Sequence, residues 1–148
     1  MAKVFEIAIS RNFKGKMIGI PSVEAVANKG LVNDRKFKEN NEKKSQLTLI
    51  EIENINYYNK TTSSAVDPLN FRRNIITEGI ELNKLINKEF SIGNIKVKAH
   101  DLCRPCKYLQ ELLNQKNFVK ELLLKAGLRC EILTTGKISI GDIIKTYD

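Results

Sequence analysis

The sequence is poor in the residues and motifs on which many common active sites depend. It has one histidine, three cysteines, three prolines and no tryptophan among its 148 residues. A single histidine argues against a Ser-His-Asp triad, and no GxGxxG or Walker sequence is present to cradle a nucleotide. Aromatic residues make up 7% of the chain and are not clustered as in RNA-stacking proteins.

Long apolar runs are missing as well. No stretch approaches the ~20 residues needed to span a bilayer. The apolar run at residues 4–9 is short and contains Glu6, so it lacks the apolar core of a signal peptide. Three cysteines in a chain with no export signal predict reduced thiols. We therefore expect a cytoplasmic protein that makes no membrane contact.

What is present is an ordinary globular composition with a basic balance. The chain is 42% hydrophobic and 28% charged, which fits one domain over residues 1–148. The formal net charge is +8, and the excess comes from lysine, which is abundant together with isoleucine and asparagine, as in AT-rich genomes. A basic nucleic-acid-binding barrel is one alternative. It ranks last, because the lysines are dispersed and aromatic residues are not interleaved with them.

Short apolar segments separated by turn residues predict a mostly β fold, a β-barrel of α+β type with two or three flanking helices. The strands are predicted at 3–10, 16–20, 23–27 and 71–77, with hairpins at 89–99 and 130–140. Helices are predicted at 50–59 and as a pair between Leu109 and Leu123, with Gly127 as the glycine that ends the second. The polar segment 30–46 is predicted to be a long loop with a mobile tip near Asn40 and Asn41.

The densest chemical signal is the sequence Cys103-Arg104-Pro105-Cys106-Lys107. Proline favours the first position of a helix, which would place Cys106 in the first turn, beside unpaired N–H groups and two cationic side chains. Each of these effects lowers the pKa of a thiol. Cys106 is therefore predicted to be a thiolate at neutral pH.

The residues leave open what this thiolate does. A dithiol redox pair needs a thioredoxin-type βαβ context, which the pattern lacks. A structural zinc site needs about four ligands, whereas a second CxxC is absent and His100 is interpreted as a strand-end residue. A nucleophile, a sulfur carrier and a single soft ligand to a metal cofactor remain.

Two weaker signals involve arginine. If Phe71-Arg72-Arg73-Asn74 is a strand, Arg72 and Asn74 share one face and Arg73 points to the other. An arginine fork and an amide on one face suit an oxyanion and the polar edge of a heterocycle. The turn at residues 30–35 ends in an acid and an arginine, Asp34 and Arg35.

Taken in order, these segments resemble the MOSC domain, named for the carboxyl-terminal domain of molybdenum cofactor sulfurase. The resemblance covers roughly residues 20 to 145, and it is carried by the turn at 30–35, the runs at 47–50 and 71–76, Gly79, Phe90-Ser91-Ile92-Gly93, Cys103-Arg104-Pro105-Cys106 and the ending from Gly127 to Asp142.

The resemblance implies a mostly antiparallel β-barrel that binds molybdenum cofactor, a pterin with a dithiolene and a phosphate (molybdopterin). The family's signature cysteine corresponds to Cys106, which is expected to ligate molybdenum or to carry sulfur as a persulfide. The other expected cofactor-binding residues are Asp34, Arg35, Arg72, Asn74 and Arg104. Pyridoxal phosphate is kept as a further ligand that the resemblance allows.

The reaction expected from the resemblance is two-electron reduction of an N-hydroxylated or related N–O substrate. Electrons would come from a separate donor protein, because no flavin or iron–sulfur motif is visible in the sequence. The sequence departs from the family pattern at Asn33, where glycine is common, and at Lys36, where histidine is common. Asparagine tolerates a left-handed conformation. Without the histidine, a role in proton transfer at position 36 is in doubt.

Overall fold

The structure is a computed structural model that describes residues 1–105, 107–115 and 117–147. Its strands are β1 (Lys3–Ile9), β2 (Ile18–Gly19), β3 (Ser22–Val26), β4 (Gly30–Leu31), β5 (Leu47–Glu51), β6 (Ile75–Glu78), β7 (Glu89–Ile92), β8 (Ile95–Leu102), β9 (Leu128–Ile132), β10 (Gly136–Ser139) and β11 (Ile144–Thr146). Its α-helices are α1 (Ile52–Thr61), α2 (Lys107–Leu112) and α3 (Phe118–Leu122). Short 3₁₀ turns cover Lys43–Ser45, Pro68–Phe71 and Leu82–Leu85.

Eight strands form one curled sheet in the order β11-β7-β8-β9-β5-β6-β1-β2. The pairing of β5 with β6 is parallel, and the other described pairings in this sheet are antiparallel. Backbone bonds from Val4 N–H to the carbonyl of Asp142 and from Ile144 N–H to that of Ala2, each 2.9 Å, bring β1 against the chain beside β11. The sheet therefore curls into a half-barrel, and the predicted mostly β, α+β fold class is confirmed.

The apolar side chains form two clusters on opposite faces of the sheet. The larger cluster fills the concave side and includes Ile7, Leu49, Phe90 and Leu128. The smaller one lies beneath the helices, where Tyr58, Phe71 and Phe118 pack ring against ring with centroids 5.3–5.8 Å apart. The strand β5 separates the two, because Leu49 faces the first cluster and Ile50 the second.

Local signals predicted several elements well. The hairpin of β7 and β8 turns at Gly93-Asn94 with Ile92 paired to Ile95, and Gly93 has a φ of 58°. Asn33 takes the left-handed conformation expected of it, with a φ of 71°. No helix in the described ranges is both long and apolar enough to cross a membrane.

The hairpin predicted at 130–140 is wrong. The strand β9 pairs with β8 and β5, whereas β10 leaves the large sheet and pairs with β3, in a three-stranded sheet ordered β10-β3-β4. The hydroxyl of Thr134 accepts the Lys96 N–H at 2.8 Å, and that of Thr135 accepts the Ala27 N–H at 3.0 Å. Thr134 is therefore bonded to the large sheet and Thr135 to the chain beside the small one, at the point where the chain crosses between them.

The predicted mobile tip of the 30–46 segment is also wrong at Asn41. This residue is 8% exposed, and its amide nitrogen donates to the carbonyls of Lys29 at 2.9 Å and Lys36 at 2.6 Å. The Gln46 side chain donates to the Asn41 carbonyl at 3.2 Å. A buried asparagine thus fastens the segment that carries Asp34, Arg35 and Lys36.

Gly127 does not end a helix as predicted. The helix α3 ends at Leu122, and Gly127 lies five residues further along with a φ of +100°. A Cβ atom at this position would lie 1.8 Å from the carbonyl oxygen of Leu49 in β5. Gly127 is therefore needed for the close approach of two backbones. Its own carbonyl accepts the Cys103 N–H at 2.7 Å.

Candidate functional site

A cationic cavity lies on the outer face of the sheet, where β5, β9 and the end of β8 meet. Its volume is about 220 Å³, and it is lined by Lys36, Thr48, Arg73, Leu102, Cys103, Arg104 and Arg129. Four of these side chains are cations and none is a carboxylate. The cavity therefore has the chemistry of an anion site.

Arg129 reaches this cavity because of strand alternation. Its neighbours Leu128 and Cys130 point into the core, so Arg129 points to the outer face. It pairs in register with Thr48 of β5 on one side and with Asp101 of β8 on the other. The register shift of β8 between Ala99 and Asp101 places the Asp101 carboxylate opposite the guanidinium.

The Asp101 carboxylate accepts hydrogen bonds from both the Nε and the Nη2 of Arg129, the former at 2.7 Å. The Lys44 ammonium lies 3.2 Å from the same carboxylate. The hydrogen bond from Arg129, with the help of Lys44, lowers the pKa of Asp101 to about 2. Asp101 is thus ionised at neutral pH, and its two bonds to Arg129 fix the orientation of the guanidinium.

Arg73 enters the same cavity from the chain segment before β6. Its Nε donates to the carbonyl of Ala126 at 2.9 Å, and its Nη2 approaches the carbonyl of Arg104 at 3.5 Å. These contacts hold the guanidinium between the segment after α3 and the Cys103-Arg104 segment. Arg73 therefore ties together the two chain segments that border the cavity.

Burial and like charge perturb the groups of the cavity. Burial lowers the pKa of Lys36, and the neighbouring Arg35 and Arg73 lower it further. Burial raises the pKa of the Cys103 thiol, although the charges of Arg73 and Lys36 act to lower it. Cys103 is 6% exposed, so it is a buried thiol at the wall of a cationic cavity.

The strand predicted over Phe71–Asn74 is wrong, and this changes the face assigned to each arginine. Phe71 ends a 3₁₀ turn, Arg72 is left-handed with a φ of 62°, and β6 begins only at Ile75. Arg73, which was predicted to point away, lines the cavity. The guanidinium of Arg72 instead donates to the carbonyls of Gly15 at 2.7 Å and Phe13 at 3.0 Å.

Asn74 is 3% exposed, and its side chain bonds within the protein. Its Oδ1 accepts from the backbone N–H and the hydroxyl of Thr48, each at 3.2 Å, and its Nδ2 donates to the Ala8 carbonyl at 3.2 Å. The structure therefore places Asn74 behind the cavity, where it joins β1 to β5 and positions Thr48.

The predicted pair Asp34 and Arg35 lies next to the cavity. Asp34 is buried, and its Oδ1 accepts the Ser10 N–H at 3.0 Å and lies 3.3 Å from Arg35 Nη1. Burial lowers the pKa of Arg35, although the charge of Asp34 acts to raise it. The carboxylate thus fixes the turn after β4 to the end of β1, and it holds Arg35 beside Lys36.

The first two residues of the CxxC sequence, Cys103 and Arg104, line the cavity. Arg104 is exposed and borders the cavity, whereas Pro105 lies ahead of α2. The prediction that Pro105 takes the first helical position is wrong, since Pro105 is not helical. Cys106 lies outside the described residues.

A metal site built from protein side chains alone is not found in the described part of the chain, where no three His, Cys, Asp or Glu residues cluster suitably. His100 lies in β8, and its Nε2 contacts Glu131 Oε1 at 3.0 Å. Cys130 is fully buried, and burial raises its pKa well above the usual value. Neither residue is arranged as a ligand.

Sequence reasoning missed three cations of the site, Lys36, Arg73 and Arg129. A signal for two of them was present, because the chain has only six arginines against nineteen lysines. Arg73, Arg104 and Arg129 line the cavity, and the charge of Arg35 acts on Lys36, which also lines it. Scarce arginines therefore mark this site better than the strand pattern does.

Comparison with known proteins identifies the fold and the family. A family model described as the MOSC domain matches residues 34–145. The crystal structure of the YuaD protein from Bacillus subtilis superposes with a TM-score of 0.86 at 17% identity, covering 99% of this chain and 97% of that one.

Two YiiM structures are also similar. YiiM from Geobacillus stearothermophilus gives a TM-score of 0.79 at 13% identity over 100% of this chain and 76% of that chain. YiiM from Escherichia coli gives 0.71 at 16% identity over 99% and 68%. No curated protein sequence matches significantly. These likenesses show the fold, and the family model spans more than half of the sequence, so the chain belongs to the MOSC domain family.

Proposed function

We propose that this MOSC protein binds molybdenum cofactor and reduces N-hydroxylated or related N–O substrates. The observation that carries the proposal is the cavity lined by Lys36, Arg73, Arg104 and Arg129, which borders the segment leading to Cys106. A compact cluster of cations with no carboxylate in the cavity lining suits a phosphate and a metal oxyanion.

The donor set of the cavity fits this cofactor. Arg129, oriented by Asp101, and Arg73, anchored on the Ala126 carbonyl, are fixed guanidinium groups suited to bind phosphate oxygens. The thiolate of Cys106 is the proposed soft ligand to the metal. When bound, the cofactor would supply two-electron redox chemistry at molybdenum, with electrons from a separate donor protein.

Lys36 is the residue proposed to deliver a proton to the substrate. Reduction of an N–O bond consumes two electrons and two protons and releases water. The Lys36 ammonium is half-buried beside Arg35 and Arg73, which lower its pKa, so it gives up a proton more readily than an exposed lysine. It would thus replace the histidine that is common at this position in the family.

The arginine pair at 72–73 tests the proposal. In protein made in a host that synthesises the cofactor, Arg73→Ala is expected to lower bound molybdenum and pterin about tenfold, because a charged hydrogen-bond partner is lost. Arg72→Ala is the matched control, because its side chain binds the loop at Phe13 and Gly15. Metal analysis and pterin fluorescence measure both contents.

Equal cofactor content in wild-type and Arg73→Ala protein, with both folded, would contradict the proposed site. A persulfide sulfur carrier is the other outcome that the experiment identifies. In that case cyanide would release sulfur from the protein, and pterin would be absent from the wild type.

A further inference from the structure

A second cavity shares a wall with the cationic one. Its volume is about 460 Å³, and both cavities are bordered by Leu102, Cys103, Arg104 and Arg129. The rest of its described lining is Asp101, which is bonded to Arg129 at the shared wall, and the apolar residues Ile86, Pro105, Leu123 and Leu124. The cavity is therefore polar at the shared wall and apolar at the other end.

The apolar end is presented by a strained turn. Leu124 has a φ of 65°, a left-handed conformation that costs a leucine free energy. Its carbonyl accepts the Asn83 side-chain N–H at 2.8 Å, and the next N–H, of Lys125, donates to the Leu122 carbonyl at 2.8 Å. The fold thus holds this turn in place although it leaves two leucine side chains exposed.

Leu123 and Leu124 are 61% and 60% exposed, although most large apolar residues of this chain are buried. Strain and exposed apolar surface together mark a binding surface. The volume lies in the range of small-molecule sites, and the polar wall is shared with the proposed reaction site. These observations favour a small substrate over a protein partner.

We infer that this cavity binds the apolar body of the substrate, an aryl group or a ring of similar size, with the N–O group directed to the wall of Cys103, Arg104 and Arg129. The inference rests on the proposed function, whose substrate class it narrows. Leu123 and Leu124 would be specificity-determining residues, because they contact the ring and not the reacting atoms.

Leu124→Asn tests the inference with little risk to folding, because asparagine accepts the left-handed conformation better than leucine. We expect a thermal midpoint equal to or above that of the wild type. The substrates are N-phenylhydroxylamine, reduced to aniline and water, and hydroxylamine, reduced to ammonia and water, each with two electrons and two protons. The kcat/KM for N-phenylhydroxylamine divided by that for hydroxylamine is expected to fall about tenfold, in line with the loss of apolar contact.

Ile140→Ser is the matched control, because Ile140 is an aliphatic residue, 49% exposed, that follows β10. Its ratio should equal that of the wild type. An unchanged ratio in Leu124→Asn would overturn the inference and leave the proposed function standing. A dimer that Leu124→Asn dissociates would also overturn it, because the leucines would then form an interface.

A binding measurement separates the inference from the proposed function. N-phenylacetamide, which is not a substrate for N–O reduction, is titrated into the isolated protein and followed by NMR. We expect shift changes at the Leu123 and Leu124 amides, with a Kd that Leu124→Asn raises about tenfold. This result supports binding of an aryl group in the cavity even if neither hydroxylamine is reduced. The absence of such shifts overturns the inference.

Discussion

Gly127→Ala is expected to leave the protein unfolded or to lower its free energy of unfolding by about 4 kcal/mol or more. The Cβ atom would lie 1.8 Å from the Leu49 carbonyl oxygen, and β5 is a central strand whose backbone has little room to move. The φ of +100° adds strain of its own. Denaturant unfolding followed by circular dichroism measures the change.

Gly141→Ala separates the two causes. Gly141 has a similar φ of +91°, but nothing lies within 4 Å of the position that its Cβ would occupy. In this control only the positive φ lowers the free energy of unfolding, by about 1–2 kcal/mol. If both alanine variants lost the same stability, the close approach of Gly127 to β5 would not be the reason for glycine there.

Cys106→Ser is expected to lower reductase activity about 100-fold or more while the fold survives, which corresponds to roughly 3 kcal/mol of transition-state stabilisation. A serine hydroxyl is not ionised at neutral pH and is a harder ligand than a thiolate. Steady-state reduction of hydroxylamine measures the activity, and circular dichroism checks the fold.

Cys103→Ser is the matched control for the same segment. Cys103 is buried, burial raises the pKa of its thiol, and its backbone N–H bonds to Gly127. We expect a much smaller loss, because a buried thiol with a raised pKa is a poor ligand. Equal losses in the two variants would indicate a dithiol or zinc role and contradict the assignment of Cys106 as the single ligand.

The sequence predicted the parts of the fold that depend on local signals. The β7–β8 hairpin follows from strict alternation around Gly93-Asn94, and Asn33 from the tolerance of asparagine for the left-handed conformation. The C-terminal segment has the same local appearance, yet β10 pairs with β3, more than a hundred residues away. The Thr135 bond to Ala27 that accompanies this choice has no counterpart in the local pattern.

The sequence predicted some of the residues at the cavity and missed others. Arg104 and the CxxC sequence were singled out, whereas Arg73 and Arg129 were not. The faces of Arg72 and Arg73 were not predicted, because the 3₁₀ turn at Pro68–Phe71 and the left-handed Arg72 replace the expected strand. Asn41 was predicted to be mobile because polar residues surround it, yet its side-chain amide donates to the backbone carbonyls of Lys29 and Lys36, which no local pattern shows.

The central claim is that the chain binds molybdenum cofactor. The most direct measurement is the molybdenum, pterin and protein content of wild-type protein purified from a host that makes the cofactor. We predict about one molybdenum and one pterin per chain, with the pterin released on denaturation. Protein that is folded and contains neither at a stoichiometric level would contradict the account.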